Sequence, residues 1–415
     1  MILYMDRKIK VLVVPSDRFG VGLYRSVSPH TTLQEMFPEE FDVEINYTPN
    51  WADLHSFDKY DIIHFHKGLY EVMESFWNAL KYFKENNIVT VMDIDDYWNL
   101  DPGHPMFSQN KLMKSKEKIT KNLEMVDYVT TTTHIFEKKI KPYNNSTKIF
   151  PNAINPEEDQ YKPIKNPSDK IRFGFVMGSS HEKDMKLFEG TINKLPKDIF
   201  NKIQIVLCGF DTRGTMTMFN QDGSIQSQRP IKPEESVWYR YEKNVTDNYA
   251  IVSPMYKNFL EQFIPNSQWP GVENEAYRRE WTKDVSTFAT HYRNVDVLLA
   301  PLEETEFNIV KSELKFIEAG FTHTAVVASN FGPYTIGSKE FFKYGGGINE
   351  DGNCILIDRR KCHKDWAKAI TKLTEHPEWI KILQDNMYNT VKDKYDIRNV
   401  TKERAEWYKN IIKKS

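Results

Sequence analysis

The fold is decided by the stretch Phe307-Asn-Ile-Val-Lys-Ser-Glu-Leu-Lys-Phe-Ile-Glu-Ala-Gly320. An apolar, strand-like run (residues 295–301) precedes it, and a second one, Ala325–Ser329, follows it. A strand, a polar loop, a helix and another strand make one βαβ unit. We therefore expect a helix here that begins near Val310 or Lys311.

The start of this helix is a candidate phosphate site. Free backbone N–H groups and the positive end of the helix dipole would favour an anion beside Ser312. Lys311 and Lys315 lie four residues apart, so on a helix they would share a face and add positive charge to one anion. Glu318 could accept hydrogen bonds from the ribose hydroxyls of a nucleotide. The alternative is an ordinary amphipathic helix, whose sequence would look the same.

The composition sets limits on the class of protein. The 415 residues are enough for two domains. Lys and Arg number 56 against 58 acidic residues, a formal charge of −2 that gives no argument for nucleic acid or an anionic membrane. We expect no transmembrane helix, because no apolar run approaches twenty residues. We also expect no secretory signal, because charged residues begin at Asp6. Three cysteines fit a reducing, cytoplasmic compartment.

Short apolar runs alternate with helical stretches along the chain. Strand-like runs occupy residues 10–14, 61–65, 88–92 and 128–132, with helical patterns over 71–85 and 110–125. A segment rich in Pro and Asn (151–167) follows, and the pattern restarts at 171–176 and 203–208. Such alternation predicts two doubly wound parallel α/β domains, over residues 1–160 and 168–392. Residues 212–276 lose the rhythm and suggest an inserted lid or docking surface, and 393–415 should contain a C-terminal helix.

Two loops of the first domain carry candidate ligand contacts. Gly20 and Gly22 follow the first strand and permit a tight turn with close ligand approach. Arg25 could reach a phosphate, and a structural salt bridge is the alternative. The loop histidine His104, in Asp-Pro-Gly-His-Pro, lies on a loop that should face the ligand and could form a hydrogen bond with it.

Carboxylates cluster after the fourth predicted strand, at Asp93, Asp95 and Asp96. They suggest a divalent metal or, alternatively, contacts to hydroxyl groups of a ligand. In the second domain, Gly178 and Ser179 let backbone amides point inward, and Lys183 supplies positive charge. We expect Asp184 to cap the helix that follows.

Two of these strings resemble known enzymes. Phe-Asn-x-x-Lys-Ser-x-Leu-Lys-x-x-Glu-Ala, followed by Ser-Asn-Phe-Gly-Pro-Tyr, is similar to the donor site of retaining GT-B glycosyltransferases. The family-four-like enzymes of bacterial surface-polysaccharide synthesis are the most similar. Gly-Val-Gly-Leu-Tyr-Arg-x-x-x-Pro resembles their N-terminal glycine loop. These enzymes have two glutamates eight positions apart, and Glu318 matches the second, which would hold the ribose hydroxyls. Val310 stands at the position of the first, so the contact that this glutamate would make near the donor sugar is missing.

The resemblance implies a GT-B fold of two Rossmann-like domains and transfer of a sugar from a nucleoside diphosphate-sugar to an acceptor hydroxyl. It implies retention, no metal and no cofactor, a cytoplasmic or peripheral inner-membrane location, and a glycan, lipid-linked or other hydroxyl acceptor. His104 and Lys311 would be catalytic, and Arg25, Asp95 and Asp96 would contact the acceptor. The donor contacts would be Gly20, Gly22, Gly178, Ser179, Lys183, Ser312, Lys315 and Glu318.

Three alternatives stay open at this point. A metal-dependent GT-A-type transferase would use Asp93, Asp95 and Asp96. A non-catalytic module would bind a nucleotide-sugar without transferring it. An epimerase of GT-B architecture would act on the nucleotide-sugar without an acceptor. No obvious pair of general base and nucleophile is visible in the sequence.

Overall fold

The computed structural model describes residues 7–104, 106–220, 224–246, 252–342, 347–360 and 362–413. Parts of the N-terminal and insertion predictions fall on residues 1–6, 221–223 and 247–251, which lie outside these ranges. The chain forms two compact units. The first comprises Met1–Asn155, Thr305–Leu314 and Asp393–Ser415, and the second comprises Pro156–Glu304 and Lys315–Lys392.

The first unit contains a six-stranded sheet whose strands all pair in parallel. In chain order the strands are β1 (Ile9–Val14), β2 (Phe41–Ile45), β3 (Ile62–His66), β4 (Val89–Ile94), β5 (Tyr128–Thr131) and β6 (Thr147–Ile149). Their spatial order is β2-β1-β3-β4-β5-β6, so the direction of winding reverses between β1 and β3. The four strands predicted here are confirmed; β2 and β6 were not predicted.

Alternating side chains of these strands serve two cores. Leu12 and Phe65 pack on one face with Phe76 and Phe83, whereas Val11 and Ile62 pack on the other. Every residue of β3 and β4 is buried, as expected for parallel strands covered on both faces. The covering helices are α1 (Ser28–Met36), α2 (Met73–Glu85), α3 (Phe107–Leu112), α4 (Ser115–Met125) and α5 (His134–Ile140).

A π-helical turn, Gly22–Val27, leads directly into α1. The single helix predicted over 110–125 is wrong in detail, since α3 and α4 are separated at Lys114, whose φ of 52° is left-handed. A left-handed residue cannot continue a right-handed helix.

The second unit contains another six-stranded parallel sheet and a separate antiparallel hairpin. Its strands are β7 (Ile171–Val176), β8 (Ile203–Phe210), the hairpin strands β9 (Thr215–Phe219) and β10 (Ile225–Pro230), then β11 (Tyr277–Trp281), β12 (Val297–Ala300), β13 (Ala325–Ser329) and β14 (Ile355–Ile357). The sheet order is β11-β8-β7-β12-β13-β14. Counted within this sheet it is 3-2-1-4-5-6, the Rossmann order, and it reverses between β7 and β12.

The helices of the second unit are α6 (Glu182–Lys186), α7 (Lys197–Phe200), α8 (Val237–Thr246), α9 (Pro254–Leu260), α10 (Leu314–Phe321), α11 (Cys362–Glu375) and α12 (Glu378–Val391). The first residue of α10, Leu314, belongs to the first unit. Among the described residues, no helix is both long and apolar enough to cross a membrane.

Residues 212–276 are only partly a surface feature. Strand β10 is exposed along its whole length, but α8 and α9 contribute Trp238, Tyr241, Tyr256 and Phe259 to the core of the second unit. A lid or docking surface therefore does not describe α8 and α9, because their aromatic faces are buried against the sheet.

The last helix, α13 (Ile397–Ile412), folds with the first unit. Ala405, Tyr408 and Ile411 lie on one face of it and pack in the core with Val11 and Ile62. Their spacing of three residues is that of one helical face.

Candidate functional site

The segment Phe307–Gly320 divides between the two units. Residues 305–314 fold with the first unit, and the chain enters the second at Lys315. The sequence had presented this segment as one nucleotide-sugar site. Its candidate residues therefore belong to two separate structural environments.

The helix begins later than expected. A short 3₁₀ turn spans Asn308–Val310, and Lys311 ends it with an extended ψ of 162°. Helix α10 starts only at Leu314. The prediction that Lys311 and Lys315 share a helical face is therefore wrong, because Lys311 is not helical and folds with the first unit.

In the first unit, the structure brings together the two residues predicted to be catalytic. The His104 and Phe307 rings lie 4.5 Å apart between centroids. Lys311 Nζ lies 5.2 Å from the centroid of the same Phe307 ring, which is within the range of a cation–π contact. His104 Nδ1 accepts a hydrogen bond from the Met106 N–H at 3.1 Å, which places the ring proton of the neutral imidazole on Nε2. His104 and Lys311 therefore both contact the Phe307 ring.

Arg25 is a structural residue, which corrects its assignment as an acceptor contact. It is 1% exposed and donates to both oxygens of the buried Asp93, at 2.7 and 3.0 Å. It also donates to Asn152 Oδ1, and the Asn152 amide donates to Ser312 Oγ at 2.8 Å. Burial alone would raise the pKa of Asp93, but Arg25 offsets this and holds the pKa below its ordinary value. Ser312 is therefore positioned by a buried network.

Val310, at the position where the resembling enzymes have a glutamate, is part of a hydrophobic core. Val310 is fully buried in the core of the first unit, beside strand residues. The nearby Glu313 is also buried, and its Oε1 accepts a hydrogen bond from Tyr395 at 2.6 Å. Burial raises the pKa of Glu313. Both side chains are therefore part of the buried interior of the first unit.

The glycine loop after β1 is tight and is capped by a carboxylate. A Cβ on Gly22 would lie 2.0 Å from the Asp17 carbonyl oxygen, so only glycine fits there, whereas one on Gly20 would meet nothing within 4 Å. Asp17 Oδ1 accepts from the N–H groups of Phe19 and Gly22, at 2.8 and 3.1 Å. Both N–H groups donate to the Asp17 carboxylate, so a phosphate bound at this loop would have to compete with that carboxylate for them.

The carboxylates after β4 lie beside basic side chains of the protein. Lys67 Nζ lies 3.1 Å from Asp95 and 3.3 Å from Asp96, and His66 Nε2 lies 2.8 Å from Asp95 Oδ1. Across the part of the chain that the structure describes, no three His, Cys, Asp or Glu side chains are grouped to hold a metal ion. The use of Asp93 as a metal ligand is wrong, because Arg25 and Thr130 take up its oxygens.

The first unit also holds polar residues outside the predicted set of ligand contacts. Ser16 follows β1, His66 is the last residue of β3 and Lys67 follows it, and the winding reverses between these two strands. His66 Nδ1 lies 2.9 Å from Ser16 Oγ. The available signal was positional, since polar residues at the carboxyl ends of adjacent parallel strands meet at one edge of a sheet.

In the second unit, candidate donor contacts surround the end of β7. Lys315 Nζ donates to the Val176 carbonyl, which holds the ammonium at the carboxyl end of that strand. Gly178 and Ser179 follow directly and are exposed. Lys183 is exposed on α6. This edge lies at the winding reversal of a Rossmann-ordered sheet, where such folds bind ligands.

Glu318 lies deeper in the same unit. It is 5% exposed, and its Oε2 accepts a hydrogen bond from the buried Tyr292 phenol at 3.0 Å. Asp184 does not cap the helix after β7, which corrects that prediction. It accepts instead from the Glu303 N–H at 2.8 Å and bonds His181 at 2.6 Å, so it ties the loop after β12 to the loop after β7.

Comparisons with solved structures identify the fold. Over 99% of this chain and 100% of the other, it is similar to a sucrose-phosphate synthase of Thermosynechococcus elongatus, with a TM-score of 0.59 and 13% identity. HepE of Anabaena, solved with UDP and glucose, matches at a TM-score of 0.56 and 13% identity, over 97% of this chain and 100% of that one. A glycosyltransferase of Rickettsia africae matches at 0.56 and 12% identity, over 99% and 100%.

These proteins are glycosyltransferases of GT-B architecture, and the likeness shows that this chain has that fold. The predicted fold class is confirmed. The GT-A alternative is wrong as an architecture, because the chain contains two separate six-stranded parallel sheets. A scan against protein-family models gave no match, and a search of curated proteins gave none either.

Proposed function

We propose that this chain transfers a sugar from a nucleoside diphosphate-sugar to an acceptor hydroxyl, with retention of the anomeric configuration and without a metal ion. The observation that carries the proposal is the carboxyl edge of the second sheet. A Rossmann strand order, small exposed loop residues and the fixed Lys315 ammonium occur there together.

The nucleotide part of the donor suits this edge of the second unit. An ammonium is a point charge with three N–H donors, and Lys315 presents it where the winding reverses. Backbone amides of Gly178 and Ser179 can approach a phosphate closely because their side chains are absent or small. Glu318 has a carboxylate held by Tyr292, which suits it to vicinal hydroxyls of a ribose.

The acceptor part of the reaction suits the first unit. His104 and Lys311 both contact the Phe307 ring, so an imidazole and an ammonium are held close to one aromatic side chain. Aromatic faces bind the apolar side of a sugar ring, and the two donors would bind its hydroxyls or the developing negative charge.

Transfer without a metal requires protein groups to stabilise the leaving diphosphate. Preorganised cations and backbone N–H groups in such a site supply several kcal/mol of transition-state stabilisation. Lys315 and Lys183 of the second unit are the cations assigned to this role. Asp95 and Asp96 already have Lys67 beside them, so their negative charge does not call for a divalent ion.

The first test is a panel of nucleoside diphosphates and their sugars in a thermal-shift assay. A ligand at 100 times its dissociation constant should stabilise the folded protein by about 2.7 kcal/mol. Lys315→Ala and Glu318→Ala should weaken binding about tenfold or more, the value of a charge-assisted hydrogen bond. Lys372→Ala and Glu375→Ala are matched controls, because these residues form an exposed ion pair in the last turn of α11.

Unchanged donor affinity in both Glu318→Ala and Lys315→Ala would show that the assignment of the donor site is wrong. Transfer should continue in EDTA, and NMR of the product should show the anomeric configuration of the donor. Binding without turnover would favour a non-catalytic module. Conversion of the donor sugar without any acceptor would favour an epimerase.

A further inference from the structure

The buried face of α13 in the first unit carries a guanidinium that has no carboxylate partner. Arg404 is 1% exposed, and within the described part of the chain neither its Nε nor its Nη1 has a hydrogen-bond acceptor. No carboxylate of the described residues forms an ion pair with it. Its guanidinium carbon lies 4.2 Å from the centroid of the Phe150 ring, a cation–π contact.

A second buried guanidinium in this neighbourhood already takes up the carboxylate. Arg25 donates to both oxygens of Asp93, at 2.7 and 3.0 Å, and Thr130 donates to the same carboxylate at 2.6 Å. Arg25 Nη1 also donates to the Phe150 carbonyl at 2.8 Å, so Arg25 and Arg404 both contact Phe150. Two buried arginines therefore lie near one carboxylate, and Arg25 occupies it.

The other carboxyl groups that act on Arg25 have partners of their own. Asp95 lies 2.8 Å from His66 and 3.1 Å from Lys67. Glu313 accepts from Tyr395 at 2.6 Å, and burial raises the pKa of Glu313. Neither carboxyl is among the groups that act on the pKa of Arg404.

The charge balance around Arg404 is therefore positive. Burial lowers the pKa of Arg404, Tyr408 and Asp93 oppose this, and Arg25 adds to it. Because an arginine keeps its proton in a protein, a second positive charge is buried beside Arg25. A buried charge without a counter-charge is strongly destabilising, so a negative charge beside Arg404 would stabilise the first unit.

Two buried hydroxyls of the same unit have no partner among the described residues. Thr401 is 1% exposed and lies one turn before Arg404 on the buried face of α13, and its Oγ1 has no hydrogen bond. Ser26 is fully buried and follows Arg25 in the turn Gly22–Val27, and its Oγ has no hydrogen bond either. Hydroxyl and guanidinium groups donate hydrogen bonds, so all three side chains have donors without an acceptor.

His30 and Tyr408 connect Ser26 to α13. His30 Nδ1 donates to the Ser26 carbonyl at 2.6 Å, and His30 Nε2 lies 2.7 Å from the Tyr408 hydroxyl. Tyr408 lies one turn after Arg404, so it shares the buried face of α13 with Arg404 and Thr401. The unpartnered donors therefore occur where α13 packs against the turn Gly22–Val27 and the start of α1.

A water molecule and an anion would act differently on these donors. Water accepts hydrogen bonds but leaves the charge of Arg404 uncompensated, whereas a monovalent anion does both. The ligand has to be small, because Ser26, Thr401 and Arg404 are at most 1% exposed. His64 Nε2 also has no partner here. As the unprotonated nitrogen of a neutral ring it can only accept, so it is not a ligand of an anion.

We propose that Arg404, Thr401 and Ser26 bind a small monovalent anion, for which chloride is the probe, where α13 meets the turn Gly22–Val27. The guanidinium supplies the positive charge and N–H donors, and the two side-chain hydroxyls supply O–H donors. The bound anion holds α13 to the first unit. This site does not rest on the proposed function, because none of its three residues contacts the sugar donor or acceptor in that proposal.

Thermal unfolding at pH 8 in sodium chloride and in sodium gluconate of equal concentration measures the binding. Histidines are neutral at this pH in the unfolded chain, so their protonation does not enter the comparison. Gluconate is too large for a buried site. At ten times its dissociation constant, chloride should favour the folded state about 11-fold, which raises the midpoint of unfolding by about 3–6 °C.

Variants of the three ligands separate specific binding from general effects of the two salts. Arg404→Leu removes the charge and should abolish the difference between chloride and gluconate. Thr401→Val and Ser26→Ala keep the charge, and each should weaken chloride binding about tenfold, the value of one hydrogen bond to a charged group. Arg398→Leu is the matched control, because Arg398 lies on the same helix but is half-exposed and paired with Asp396. It should respond to chloride as wild type does.

A crystal soaked in sodium bromide locates the anion directly, because bromide scatters anomalously. An anomalous peak beside the Arg404 guanidinium and the two hydroxyls, absent in Arg404→Leu, would support the site. An ordered water there without bromide would overturn it. Equal chloride responses in wild type, Thr401→Val and Ser26→Ala would overturn it as well. If Arg404→Leu does not fold, the hydroxyl variants and the bromide peak decide the question.

Discussion

Acidification from pH 6.5 to 5.5 should destabilise the first unit through two histidines buried beneath α13. His30 and His64 are fully buried, with ring centroids 4.4 Å apart. The Tyr408 hydroxyl joins them, 2.7 Å from His30 Nε2 and 3.0 Å from His64 Nδ1. His30 Nδ1 donates to the Ser26 carbonyl at 2.6 Å, so Tyr408 donates to His30 Nε2 and accepts from His64. In this arrangement both rings are neutral.

The environment opposes a proton on either ring. Burial, followed by the other histidine and the buried Arg404, lowers the pKa of His30 well below its ordinary value. Burial and then Arg404 do the same to the pKa of His64. The unfolded chain takes up protons near pH 6.5 but the folded unit does not, so stability is fully present above that pH and is lost as the pH falls.

The size of the effect follows from this difference in proton binding. Each histidine that stays neutral in the folded unit lowers the free energy of unfolding by about 1 kcal/mol between pH 6.5 and 5.5. The two together lower it by about 2 kcal/mol, a large share of an ordinary domain's 5–15 kcal/mol.

Urea denaturation followed by tryptophan fluorescence at both pH values measures this loss. The variant His30→Gln/His64→Gln should lose about 2 kcal/mol less than wild type over the same interval. Contributions from carboxylates and other histidines occur in both proteins and cancel in that comparison. The matched control is His55→Gln, whose side chain is 84% exposed and whose acid loss should equal that of wild type. Equal acid losses in the double variant and wild type would refute the reasoning.

Two further predictions concern the glycine loop and the missing glutamate. Gly22→Ala should lower the free energy of unfolding by about 1–3 kcal/mol, because its Cβ would meet the Asp17 carbonyl oxygen at 2.0 Å, whereas Gly20→Ala should be neutral or slightly stabilising. Equal midpoints of thermal unfolding in these two variants would contradict the loop geometry. Val310→Glu, which restores the residue type of the family, should cost about 3–5 kcal/mol because it buries an unpaired carboxylate, and Val310→Ile should cost far less. Circular dichroism during heating measures both, and a fully stable Val310→Glu would place Val310 outside the core.

The sequence predicted much of each sheet because strand signals are local. Runs such as residues 171–176 and 203–208 are mostly apolar, which is the property of parallel strands covered by helices. The same reasoning predicted the helix of the βαβ unit but placed its start too early. The turn at Asn308–Val310 and the extended Lys311 depend on packing of Val310 in the first unit, and no local pattern shows that.

The candidate site was predictable only in part. The glycine loop and His104 were selected from loop chemistry alone. Arg25 had the same kind of signal but is buried against Asp93, 68 residues away in the chain. A single sequence gives the chemistry of a side chain and not its distant partner.

What the sequence by itself determined is the two α/β sheets and the residue types at their edges. Apolar runs and amphipathic helices alternate because each has to bury its apolar residues. The periodicity of those apolar residues can be read within each segment separately. Only the tertiary structure decided which edge residues meet. Ser16 and His66 are 50 residues apart, and His66 and Asp95 are 29 apart. They form one hydrogen-bonded chain because strand order places β1, β3 and β4 side by side, and strand order is settled by the packing of the whole sheet.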